Sequence, residues 1–140
     1  MDQALSTTIW LRGSNYASSF LYRRWYAYYE YFYCYDGCYC IITGHSLRLE
    51  ALRINPYGKT IKAKAHIQSK GWVDYGTITK DTIIGTVGEK KRIECLCFDG
   101  DFEYRVHIQG SGWTDWTKAD GVATLGTVGQ ELRIEAVQFR

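Results

Sequence analysis

Residues Tyr104–Phe139 read YRVHIQGSGWTDWTKADGVATLGTVGQELRIEAVQF. Shifted back by 41 residues, they fall on Ala63–Phe98 without a gap. Fourteen of the 36 positions are identical, and they cluster. His107, Ile108, Gln109, Gly112, Trp113 and Asp115 repeat His66, Ile67, Gln68, Gly71, Trp72 and Asp74. Gly126–Gly129 repeats Gly85–Gly88 as Gly-Thr-Val-Gly, and Arg133-Ile134-Glu135 repeats Arg92-Ile93-Glu94. An eroded third copy ends the first third of the chain. There Thr43-Gly44 matches Val87-Gly88, and Arg48-Leu49-Glu50 matches Arg92-Ile93-Glu94 at an offset of 44. Periods of this length mark repeat architectures.

Working outward, the 140 residues divide into three units: residues 1–54, which are degenerate, then 55–98 and 99–140. The length and the composition, 46% hydrophobic and 23% charged, fit a single globular domain. Each clean unit reads as four short strands. In the last unit, Tyr104, Val106 and Ile108 alternate with Arg105, His107 and Gln109. Gly110-Ser111-Gly112 turns into a strand over Trp113–Thr117, Asp120-Gly121 turns into a third over Val122–Leu125, and Gly126–Gly129 turns into Leu132–Phe139. Asn55-Pro56-Tyr57-Gly58 links the first and second units as a turn. Turn signals at this spacing predict an all-β fold. Three units closing on a pseudo-threefold axis leave no bare strand edge. A β-trefoil is the first expectation and a three-sided β-prism the alternative.

The first unit departs from the template. Ile9-Trp10-Leu11 is a candidate short strand. Eight of the twelve tyrosines lie between Tyr22 and Tyr39, and Tyr29, Tyr31, Tyr33 and Tyr35 alternate in a strand-like period. This stretch serves either as an aromatic wall packed on its neighbours or as a surface for protein contact or self-association.

The net charge of +2 gives no reason to expect a nucleic-acid partner. The single basic-aromatic cluster Tyr22-Arg23-Arg24-Trp25 is by itself a weak signal for single-strand nucleic-acid binding. Charge is uneven, with 8 Lys/Arg against 4 Asp/Glu in residues 55–98 and 4 against 7 in residues 99–140. No run of 18 apolar residues exists, so membrane insertion by a helix is not expected. The N-terminus shows no signal-peptide pattern.

Flat rings flanked by Asp, Gln and His suit a sugar, whose apolar face stacks on the ring while its hydroxyls bond the polar groups. Trp72, Asp74, Tyr75, His66 and Gln68 form one such set, and Trp113, Asp115, Trp116, His107 and Gln109 the other. A repeated tryptophan also suits a core plug. That reading places Trp72 and Trp113 inside and leaves Tyr75 and Trp116 exposed. The repeated histidines suggest a shared hydrogen-bonding role. Arg48, Arg92 and Arg133, each two residues before Glu50, Glu94 and Glu135, are expected to form cross-strand ion pairs between units.

Cys95 matches Ala136 and Ala51 and reads as core filling, whereas Cys97 matches Gln138 and Arg53 and reads as exposed. Cys34, Cys38 and Cys40 lie at metal-like spacing, but no metal is expected there. A disulfide among them would need an oxidising compartment. The glycine loops lack the Lys-Ser/Thr of a phosphate loop, so no cofactor is expected. Candidate carboxylates Asp74 and Asp115 are repeat equivalents, which suits multivalent binding better than a unique catalytic pair. The chain is therefore read as a non-enzyme.

The forms HIQSKGWVDY…GTVGEKKRIEC and HIQGSGWTDW…GTVGQELRIEA resemble the clostridial hydrophobic-W (ChW) repeat family, and TGHSLRLEALRI looks similar. The resemblance covers Ala63–Arg140 and part of Asp36–Ile54. It implies a secreted or surface-attached bacterial module that binds polysaccharide, cell-wall or protein partners.

Overall fold

The computed structural model describes residues 6–11, 39–40, 48–56 and 58–140. The alternating tyrosines, Cys34 and Cys38, and the Tyr22–Trp25 cluster lie outside the described residues. Among those that are described, all regular structure is β. The strands are β1 (Ser6–Leu11), β2 (Tyr39–Cys40), β3 (Leu49–Asn55), β4 (Lys62–Ile67), β5 (Gly71–Thr77) and β6 (Ile84–Gly85). They continue with β7 (Ile93–Ile108), β8 (Gly112–Trp113), β9 (Thr117–Asp120), β10 (Leu125–Gly126) and β11 (Ile134–Phe139). They form two open sheets, β1-β3-β6 and β2-β11-β7-β4-β5, with β8, β9 and β10 also pairing on β7.

The sequence template holds with three changes, one of them the break of the expected strand Trp113–Thr117 between β8 and β9. β7 runs through the boundary between the second and third units, so one strand ends the former and begins the latter. The strand expected over Val122–Leu125 shrinks to Leu125–Gly126, because the Asp120 carboxylate folds the chain back. Its Oδ1 accepts the backbone N–H groups of Val122 at 2.9 Å and Ala123 at 2.8 Å. These two donors lower the Asp120 pKa. At the earlier link, Lys59 N donates to Pro56 O at 3.0 Å, closing the expected turn.

Two registers recur. In the first, the opening strand of each unit pairs with its last: β1 with β3, β4 with β7, and β7 with β11. Each pairing has a register shift at the same place, so that Leu11 faces Leu49, Ile67 faces Ile93, and Ile108 faces Ile134. This alignment puts Trp10 at the position of His66 and His107. In the second register, a unit's third strand leaves for another unit. Ile84 of β6 faces Leu52 of β3, Leu125 of β10 faces Leu96 of β7, and Cys40 of β2 faces Val137 of β11. Leu52, Leu96 and Val137 are repeat equivalents, so the first unit meets the last as the second meets the first. Leu11 and Cys40 are 29 positions apart, whereas Ile67–Ile84 and Ile108–Leu125 are each 17 apart. The first unit therefore carries 12 extra residues, and most of the tyrosine-rich stretch lies within this longer connection.

One core draws on all three units. Leu49, Leu52 and Ile54 pack with Ile61, Ile67, Ile84, Ile93, Leu96, Phe98, Tyr104, Val106 and Ile134. The expected alternation in β7 is present, with Tyr104, Val106 and Ile108 buried between half-buried Arg105 and His107. Phe98 and its repeat equivalent Phe139 meet edge-to-face with centroids 5.8 Å apart, and Tyr104 stands edge-on to Phe98 at 5.0 Å. Tyr104 is fully buried, and burial pushes its hydroxyl pKa upward.

Glycine is required at the junctions. Thr86 N donates to Glu50 O, and Thr127 N to Glu94 O, both at 2.9 Å. A Cβ on Gly85 would stand 2.2 Å from Glu50 O, and one on Gly126 would stand 2.2 Å from Glu94 O. Both glycines also have positive φ, 101° and 123°. Gly129 has φ 78°, but its Cβ would meet nothing within 4 Å. Gly126→Ala is therefore expected to cost about 3 kcal/mol or more, against about 1 kcal/mol for Gly129→Ala. Urea unfolding of both variants checks the order, and equal losses would refute the junction argument.

Candidate functional site

In the second unit, the pairing of β4 with β5 and β7 brings five of the sequence motif's residues together. Glu94 is buried at 6% exposure, and its carboxylate is held from two sides. Arg92, two residues earlier and just ahead of β7, donates Nε–H to Oε1 at 2.9 Å. His66 Nδ1 approaches Oε2 at 2.9 Å from β4. Trp72 then stands edge-on to the His66 ring, with centroids 5.5 Å apart and planes at 77°. Gln68 ties the strands' ends, its N–H donating to Arg92 O at 3.0 Å and its Oε1 accepting from Arg92 N at 3.3 Å.

The third unit repeats the arrangement. Arg133 Nη2 lies 2.9 Å from Glu135 Oε1, and His107 Nδ1 lies 3.2 Å from Glu135 Oε2. The His107 and Trp113 rings meet at 5.3 Å and 80°. Gln109 bonds Arg133 as Gln68 bonds Arg92. The first unit keeps the Arg48–Glu50 pair at 2.6 Å, with Glu50 2% exposed.

This geometry corrects several expectations. The Arg–Glu pairs lie at the start of each unit's last strand, the arginine just ahead of it, and do not bridge units. The i, i+2 spacing puts both side chains on one face, and histidine supplies the cross-strand partner. Trp72 is not a core plug, being 46% exposed, and Trp113 is half-buried. Their place in the core is taken by Tyr75, which packs on the core and accepts Gly85 N–H on its hydroxyl at 2.9 Å. Tyr75 and Trp72 alternate on β5 and so point to opposite faces. The gluing role of Gln68 and Gln109 was missed. A repeated Gln ahead of a turn and a repeated Arg at the start of a later strand were its signal.

The outward face of the second unit carries Lys64, His66, Trp72 and Asp74. Lys64 faces Asp74 and His66 faces Trp72 in the register. Asp74 is exposed, with Oδ1 accepting Gly76 N at 2.8 Å and Oδ2 lying 3.9 Å from Lys64 Nζ. In the third unit the equivalent strand is interrupted between β8 and β9, Asp115 is exposed, and Trp116 is half-buried between Arg105 and Arg140.

Cys95 is buried as expected, but Cys97 is buried too, at 5% exposure. Its repeat equivalent Gln138 is only 1% exposed, so variability at this position did not mean exposure. Burial pushes both thiols' pKa values up. Both are therefore expected to resist alkylation at pH 8 in the folded protein and to react once it is unfolded, as peptide mass spectrometry would show. Removing the buried carboxylate by Glu94→Ala leaves Arg92 and His66 facing each other and is expected to cost about 3 kcal/mol. A double-mutant cycle with His66→Ala should show coupling well above 0.5 kcal/mol, the least expected of residues in contact. Additive effects would refute the shared network.

Two stretches match a family model, Clostridial hydrophobic W, over residues 66–97 and 107–140. No curated protein and no solved structure matches the chain. The matched stretches fall in the second and third units and contain both Arg-Glu-His-Trp arrangements. The chain carries two repeats of the clostridial hydrophobic W family.

Proposed function

We propose that this chain is a non-catalytic, lectin-like module of a secreted or surface-attached bacterial protein, and that it binds polysaccharide through the outward faces of its repeats. The observation that carries the reading is Trp72. The chain's largest side-chain type is held 46% exposed. Beneath it lies a buried carboxylate with two cationic or hydrogen-bonding partners. Stability alone would favour the ring inside. A flat indole beside Asp74, Lys64 and His66 offers a stacking face ringed by groups that bond hydroxyls.

The three equivalent strand registers support a pseudo-threefold scaffold. The departure of each third strand to another unit favours a β-trefoil over a prism, which would keep each unit's strands in its own sheet. A second reading draws on the longer connection in the first unit. The scaffold's template does not require its tyrosine-rich residues 22–39, which suits protein contact or self-association.

The test is an array of glycans that includes bacterial cell-wall polysaccharides, probed with the labelled chain and with Trp72→Ala/Trp113→Ala. Retention of the wild type on a defined glycan class, lost by at least about tenfold in the folded double variant, is expected. A folded wild type that binds no glycan, and whose mass rises with concentration, would sink this reading in favour of the second.

A further inference from the structure

The two matched repeats present the same aromatic face in opposite states. In the third unit, the Arg105 guanidinium lies 4.8 Å from the Trp113 ring centroid and 4.7 Å from that of Trp116. Arg140 covers Trp116 at 4.3 Å and is anchored to Glu103 at 2.6 Å. Arg105 is itself fixed from behind, its Nε–H donating to Oε1 of the buried Gln138.

The second unit has none of these parts. The position of Arg105 holds Lys64, which turns to Asp74. The position of Gln138 holds Cys97, which has no carbonyl oxygen to anchor a guanidinium. Trp116 becomes Tyr75, on the inner face, and Arg140 becomes Asp99. Among the described residues, no cation covers Trp72.

We propose that Trp72 is the ligand platform of this protein and that Arg105 is a built-in plug closing the equivalent platform at Trp113. The proposal rests on the carbohydrate reading and names its site. A guanidinium and the C–H face of a pyranose seek the same electron-rich face of an indole, so one excludes the other. The ligand is a polysaccharide whose sugars are neutral, because Lys64, on the same outward face as Trp72, is paired with Asp74, and Lys70, two residues before Trp72, is paired with Glu89 at 3.3 Å. The protein therefore binds such a polymer through one site per chain, although its sequence shows two motifs.

The experiment is co-sedimentation of the whole chain with chitin, crystalline cellulose and insoluble β-1,3-glucan, all three uncharged. Wild type is expected to bind at least one of these polymers, and Trp72→Ala to weaken that binding at least about tenfold. Arg105→Ala, with the plug removed, is expected to tighten binding by about tenfold or more through a second site on the same polymer. In the Trp72→Ala background, Arg105→Ala is expected to restore binding. Arg105→Lys, which keeps the charge and loses the planar fork, gives a second route to the opened face if the alanine variant does not fold. Binding kept by Trp72→Ala but lost by Trp116→Ala would overturn the assignment and leave the carbohydrate reading standing. Binding unchanged in both Arg105 variants would overturn the plug. A folded wild type that binds none of the three polymers would overturn the proposal together with the reading beneath it.

Discussion

Glu94 serves both the junction between the second and third units and the Trp72 site. Its backbone carbonyl receives Thr127 N at 2.9 Å and leaves room for nothing larger than Gly126 beside it. Its side chain is buried and takes Arg92 and His66. A carboxylate removed from water is tolerated only where partners replace the water, so Arg92 and His66 cannot move freely. His66 in turn fixes the edge against which Trp72 rests. Junction and site are thus two ends of one constraint. Glu50 repeats the junction end with Thr86, and Glu135 repeats the site end with His107 and Trp113.

The exchange of third strands explains why the repeat is not a self-sufficient fold. A unit of about 41 residues buries too little surface by itself. Here its opening and closing strands pair internally while Ile84 or Leu125 completes a neighbour's surface. The core is consequently shared, with Leu52, Leu96 and Val137 at equivalent positions within it. The pairing of β2 with β11 lets the first unit cover the edge that the last strand would otherwise expose.

The internal repeat made much of this legible. Strand class, turn positions and the buried face of β7 followed from period-two alternation and paired glycines, because these depend on local chemistry. Two kinds of feature were hidden. One was partner choice: Arg92 and Glu94 were visible as a pair, but whether the pair spans strands depends on what lies opposite, and the sequence did not show that His66 does. The other was the side of the sheet on which an aromatic ends. Trp72 and Tyr75 are three apart on a continuous strand, so alternation parts them. Trp113 and Trp116 have the same spacing, yet the break between β8 and β9 lets both meet Arg105. The first unit's histidine position was hidden because its first strand lies before the longer connection. Trp10 is recognised there only from the register with Ala51.

Comparison of the two clean repeats separates frame from surface. The identical pairs His66/His107, Gln68/Gln109, Gly85/Gly126, Arg92/Arg133 and Glu94/Glu135 lie in the network or at the junction. Where the second unit has Lys64, Tyr75, Cys97 and Asp99, the third has Arg105, Trp116, Gln138 and Arg140, and there Arg105 and Arg140 meet Trp116 while the buried Gln138 holds Arg105. They act together. A guanidinium at 105 without Gln138 behind it would lack its anchor, and without Trp116 it would have one ring instead of two. Arg140 needs Trp116 beneath it. Four independent surface drifts would have no reason to fit one another in this way. Their fit marks a single device, built on a frame that both repeats retain, in which one indole is left to solvent and its counterpart is covered.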